Sequence, residues 1–108
     1  MPFKSQVTAN IGLSASPSTV TPTVASGTTA TIIGMSIANT SAANITVAAR
    51  LNKSGGSSAF LAKDAVVPSG GALVIVGGDQ KVVLEPGDTI TAYSSAASAA
   101  DAALSYLV

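Results

Sequence analysis

The chain has no cysteine and no histidine among its 108 residues. Without cysteine there is no disulfide and no thiolate chemistry. Without histidine it lacks the usual general base near neutral pH and the commonest zinc ligand. The many serines therefore have no partner for a Ser-His-Asp triad. Charge is scarce as well. Five basic and five acidic residues make 9% of the chain, against about 25% in an ordinary soluble domain. They sum to zero net charge, and no basic stripe marks a nucleic-acid partner. Aromatic residues are 4%, too few for the spaced rings of a carbohydrate-binding or base-stacking surface. No long apolar run exists. The most apolar window, "AVVPSGGALVIVGG", is broken by Pro68, Gly70 and Gly71, so no membrane helix of about 20 apolar residues is expected. "MPFKSQVTANIG" lacks the apolar centre of a secretory signal.

What remains is a chain of Ala, Ser, Thr, Gly and Val. A free monomer with so few charges, near zero net charge, is poorly protected against association. Much of its surface is therefore expected to be covered by other protein.

Apolar residues recur with a period of two, the mark of strands with one buried face. In "ANITVAARLN", Ile45, Val47, Ala49 and Leu51 alternate with Thr46, Ala48, Arg50 and Asn52. In "TATIIGMSIAN", Ile33, Met35 and Ile37 are placed on one face, and "NTSAAN" makes the two segments a hairpin. "AFLAKDAVV", "ALVIVGG", "KVVL", "TITAYSSA" and "DAALSYLV" complete the strands. The alanine-rich "SSAASAADAALSYL" competes as a helix, but its end alternates, so a terminal strand after a turn is expected. Seven or eight short strands between turn signals predict an all-β fold, an antiparallel β-sandwich of jelly-roll or immunoglobulin-like type. Residues 19–108 form this sandwich. Residues 1–18, with Pro2 and Pro17, form an extended N-terminal arm. Phe3 on that polar arm is a candidate contact with a neighbouring subunit, and deletion of residues 2–12 is expected to leave the sandwich folded. Arg50, the only arginine, is a second candidate contact, since arginine is enriched at interfaces.

"GGDQKVVLEPGDTITAY" holds three of the five acidic residues, Asp79, Glu85 and Asp88. A calcium loop needs clustered carboxylates as in D-x-D-x-D, and these are separated, so no metal is expected. Glu85, Pro86, Gly87 and Asp88 read as a structural turn. Pro86 pre-sets φ, Gly87 supplies the positive φ of a type II turn, and Asp suits local backbone hydrogen bonding. "GGDQK" precedes no helix and is no phosphate loop. Nothing places a serine beside Lys63 or Lys81 for a Ser–Lys pair. Lys63 and Asp64 read as a solvated strand edge, and Tyr93 and Tyr106 as half-buried sheet residues. No catalytic residue, cofactor or metal ligand is expected, and the chain reads as a non-enzyme.

The run "TIIGMSIANTSAANITVAARL", then "AFLAKDAVVPSGGALVIVGGDQKVVLEPGDTITAYSS", then "ALSYLV" resembles small tailed-phage virion proteins. In those, a strand ending in "ANT" leads to a hairpin, and a "P-x-G" turn and an "L-E-x-G-D-x-I" turn precede the last strands. The resemblance covers about residues 29 to 108. It implies a structural protein of the virion, foremost a capsid decoration (cement) protein that holds major capsid subunits together, often as a trimer. A neck, tail, baseplate or fibre-base component is the alternative it leaves open. A carbohydrate-binding module, from a different class, is disfavoured by the shortage of aromatic residues.

Overall fold

Alternating small, β-branched and aromatic side chains suit a pleated surface with one buried face, and the chain uses them accordingly. A computed structural model describes residues 3–77 and 81–108. In chain order the strands are β1 (Phe3–Thr8), β2 (Ser18–Thr19), β3 (Ala30–Asn39), β4 (Ile45–Asn52) and β5 (Ser58–Val67). Then come β6 (Ala72–Val76), β7 (Val82–Leu84), β8 (Thr89–Ser94) and β9 (Ala100–Leu107). No helix occurs among the described residues. One sheet runs β1-β9-β3-β6, with β7 also paired to β3; the other runs β2-β8-β4-β5. Every strand pair is antiparallel. The two sheets enclose one apolar core, a two-layer arrangement consistent with a β-sandwich.

That core is built from small and branched residues. Ile32, Ile37, Leu84 and Ile90 are fully buried, with Ala92, Ala100 and Ala102 between them. β9 alternates as its sequence indicates: Ala100, Ala102, Leu104 and Tyr106 are buried, while Ala103 and Ser105 are exposed. The alanine-rich segment ahead of it is a turn in which Ser98 has a φ of 55°. Alanine's helix preference loses to the burial gained by a terminal strand lying between β1 and β3.

The first half of β3 departs from the expected phase. Ile32, not Ile33, joins Met35 and Ile37 in the core. The register of β3 on β9 slips between Ile32 and Gly34, a bulge that inserts one residue. One extra residue reverses the facing of everything before it. β5 carries two similar shifts against β4, and Asp64 within it has a φ of 51°.

Within the expected arm, residues 3–8 are extended and lie on the chain's own sheet. β1 pairs with β9 from Phe3 opposite Leu107 to Thr8 opposite Ala102. Beyond it, Ile11 is wholly buried, and its N–H donates to the Ala100 carbonyl at 2.9 Å. The Ser94 N–H donates to the Gly12 carbonyl at 2.9 Å. The core therefore begins before residue 19. Deletion of residues 2–12 removes a core side chain, so it is expected to weaken the fold, contrary to the expectation from composition. Ile11→Ala should cost about 2–4 kcal/mol in urea unfolding, the range for a buried aliphatic truncation. An unchanged midpoint would show that this segment does not seal the core.

Candidate functional site

Two turns meet at one end of the molecule. The first, residues 53–57, joins β4 to β5; the second, 85–88, joins β7 to β8. In the second, the Asp88 N–H donates to the Glu85 carbonyl at 3.0 Å, closing the four-residue turn. Gly87 has a φ of 86°, as the third position of a type II turn requires. Asp88 is 1% exposed. Its Oδ2 accepts from the Glu85 N–H at 2.9 Å, and its Oδ1 accepts from the Ser54 N–H of the other turn at 3.0 Å. Lys53 completes the contact: its Nζ donates to Asp88 Oδ2 and, at 2.9 Å, to Glu85 Oε1.

The carboxylate of Asp88 thus ties two chain reversals together. Its pKa is held below the usual aspartate value, first by the hydrogen bond from Lys53 and then, against the cost of burial, by the Ser54 and Glu85 N–H groups. The ammonium of Lys53 is raised above its usual value, chiefly by its hydrogen bond to Asp88 and next by that to Glu85. Both carboxylate oxygens of Asp88 have protein donors, and the side chain is buried between the two turns. Glu85 and Asp88 share the Lys53 ammonium. Asp79 lies outside the described residues. Among the described residues, no three metal-ligating side chains come together.

Sequence reasoning missed Lys53. A lysine in a Gly- and Ser-rich loop carries no local sign of the carboxylate 35 positions away that it meets. It also missed Asn39, 3% exposed at the end of β3. Its Nδ2 donates to the carbonyls of Ala43 and Val67, and its Oδ1 accepts from the Ser41 N–H and hydroxyl. The signal was present in "ANT": asparagine at the entry to a turn commonly bonds the backbone two residues on.

Arg50 lies on the outer face of the second sheet. Its Nε donates to Asn52 Oδ1 at 3.1 Å, and its guanidinium carbon sits 5.6 Å from the Phe60 ring centroid. The Lys63 ammonium lies 5.7 Å from the same ring and 3.7 Å from Asp64. This face is charged and aromatic. Phe3 is far from it, on the outer side of β1, and is 74% exposed.

The outer face of the first sheet differs. Register places three rows across it: Phe3, Leu107, Thr31 and Val83; then Ser5, Ser105 and Gly34; then Val7, Ala103, Ser36 and Val74. No residue in these rows is charged. Phe3, Val7, Val74 and Val83 are all more than half exposed. The small residues between them line an open groove of about 350 Å³. The fold and surface together define an all-β, two-sheet protein in which Lys53, Glu85 and Asp88 join two turns and Phe3, Val7, Val74 and Val83 stand exposed on one outer face. No protein-family model, no curated protein and no solved structure matches the chain.

Proposed function

We propose that this chain is a structural protein of a phage virion, foremost a capsid decoration protein, built as a jelly-roll or immunoglobulin-like sandwich. It stabilises the shell by burying surface across joints between major capsid subunits and performs no chemistry. It self-assembles as a homo-oligomer, three copies being the number that the sequence resemblance implies. The observation that carries this reading is the three uncharged rows on the outer side of the first sheet, with Phe3, Val7, Val74 and Val83 presented to solvent. Large apolar side chains exposed together on one charge-free area mark an interaction surface. The sparse charge of the whole chain supports it independently. Phe3 is the contact residue best placed on that face, and Arg50 serves a second contact on the opposite one.

A small repeated contact suffices for such work, because copies on a closed shell act together. The reading is tested by imaging the intact particle with the chain labelled. The expected result is density for many copies spread over the head, seated through the Phe3–Val83 face. A few copies at a single vertex would instead support a neck, tail, baseplate or fibre-base component. Absence of the chain from purified particles would overturn both.

A further inference from the structure

The first sheet ends at β1, and among the described residues no strand lies on that strand's other side. A free edge offers a row of unpaired backbone N–H and C=O groups to another strand. Proteins usually blunt such edges with proline, bulges or several charges. β1, "FKSQVT", has no proline and a single charge, Lys4, and its pairing with β9 runs unbroken through all six residues.

We propose that β1 is a self-association edge whose partner is β1 of a second copy, paired antiparallel about a two-fold axis at Ser5. The choice of partner follows from the order of side chains. In an antiparallel pair, directly opposite residues lie on the same side of the sheet. Phe3, Ser5 and Val7 face outward with Leu107, Ser105 and Ala103, whereas Lys4 and Gln6 lie on the side of Tyr106 and Leu104. A two-fold axis normal to the sheet keeps each set on its own side. Centred on Ser5, it sets Phe3 opposite Val7 of the second copy, Lys4 opposite Gln6, and Ser5 opposite itself. Aromatic against β-branched is a favourable cross-strand pair, and no like charges meet. Centred on Lys4, the same edge would oppose two lysines; centred on Gln6, it would set Val7 against Ser5 and leave Phe3 without a partner in the strand. The sequence of this strand therefore selects one self-pairing.

The second copy is also the partner whose surface matches the rest of the face. An isologous contact brings each patch against its own copy, so charged residues near the axis would repel. The rows flanking the axis hold Val7, Ala103, Ser105, Leu107 and Phe3, none of them charged. Joining two edges continues this uncharged face across both molecules. The contact closes at two copies. It stands apart from the virion reading, because it belongs to the isolated protein in solution. A trimer held elsewhere on the surface would still carry the same free edge.

Ser5 is exposed, and its substitution leaves the core untouched. Sedimentation equilibrium of the full chain should show concentration-dependent dimerisation. Ser5→Lys and Ser5→Asp, each alone, place like charges opposite each other at the axis. Each should weaken dimerisation by about tenfold or more, since like charges in contact are strongly unfavourable. Mixing the two variants should restore it, because lysine then faces aspartate. The chain has no cysteine of its own, so Ser5→Cys carries one thiol and should cross-link into a dimer on mild oxidation. Circular dichroism of each variant matching the parent shows that folding is retained. A parent chain that stays monomeric at all concentrations would overturn the proposal. So would an association that both charge variants leave unchanged, or a mixture no better than either variant alone.

Discussion

Gly87→Val is expected to lower unfolding stability by about 2–4 kcal/mol, with two causes acting together. The first is backbone conformation. Gly87 has a φ of 86°, where a β-branched residue is an outlier because its Cβ crowds the neighbouring carbonyl. The second is space. A Cβ added at Gly87 would lie 2.7 Å from the Ser54 Cβ in the facing turn. Neither turn can retreat without loosening the contacts of Asp88 that join them. The two causes separate experimentally. Gly87→Ala keeps both, with less bulk. Adding Ser54→Gly removes the close contact but leaves the unfavourable φ, so the double variant should recover part of the lost stability and not all of it. Urea unfolding midpoints of the parent, of Gly87→Val, Gly87→Ala and Ser54→Gly, and of Gly87→Val combined with Ser54→Gly measure this. A Gly87→Val midpoint equal to that of the parent would mean that the turn is not held as described.

Asp88→Asn should produce the other large loss, on the order of 10 °C in the thermal midpoint at neutral pH. The amide can still accept one hydrogen bond. Whichever way it turns, however, its NH₂ group faces a donor, the Ser54 N–H in one orientation or the Glu85 N–H and Lys53 ammonium in the other, and a buried donor is left unpaired. The pH dependence follows from the direction of the shifts. Asp88 has its pKa lowered in the folded state from an ordinary 3.8, so its contribution is complete above that value and is lost as pH falls through the lower, folded value. Lys53 has its pKa raised above 10.5, so its contribution is complete below that value and is lost as pH rises through the higher, folded one. The gap between the parent and Asp88→Asn should therefore be widest across the neutral range and shrink below pH 3.8. Glu85→Gln is the control. Glu85 is exposed and its ion pair with Lys53 is a surface one, so its thermal midpoint should barely move. A pH-independent gap, or a Glu85→Gln loss as large as that of Asp88→Asn, would place the clamp elsewhere.

Much of the fold was legible because the relevant signals are local. β8 and β9 follow the alternation of their own residues, and the Glu85–Asp88 turn forms as its proline and glycine dictate. The failures are equally specific. The period-two pattern sets Ile33 on one face with Met35 and Ile37, because a bulge between Ile32 and Gly34 leaves no mark in it. Ile11 was assigned to an arm because prolines and hydroxyl residues around it hide a single apolar anchor. In the turn, Asp88 was identified as structural, but its partner Lys53 was not, since the two are brought together only when β4 and β8 pair.

By itself, the sequence determined the all-β class, the positions of most strands and the type of the Glu85–Asp88 turn, and it ruled out cysteine and histidine chemistry. Each of these depends on side-chain period, on the φ preference of proline or glycine, or on which functional groups the chain contains. Only the tertiary structure decided which strands are neighbours, that Asp88 bridges two turns, that β1 closes on β9 and leaves its other edge without a strand among the described residues, and that Phe3, Val7, Val74 and Val83 share one outer face. These residues are scattered over 81 positions of chain. What sets them side by side is strand order and register, and those are fixed by the simultaneous burial of both sheets' inner faces, a non-local balance that no short window of residues contains.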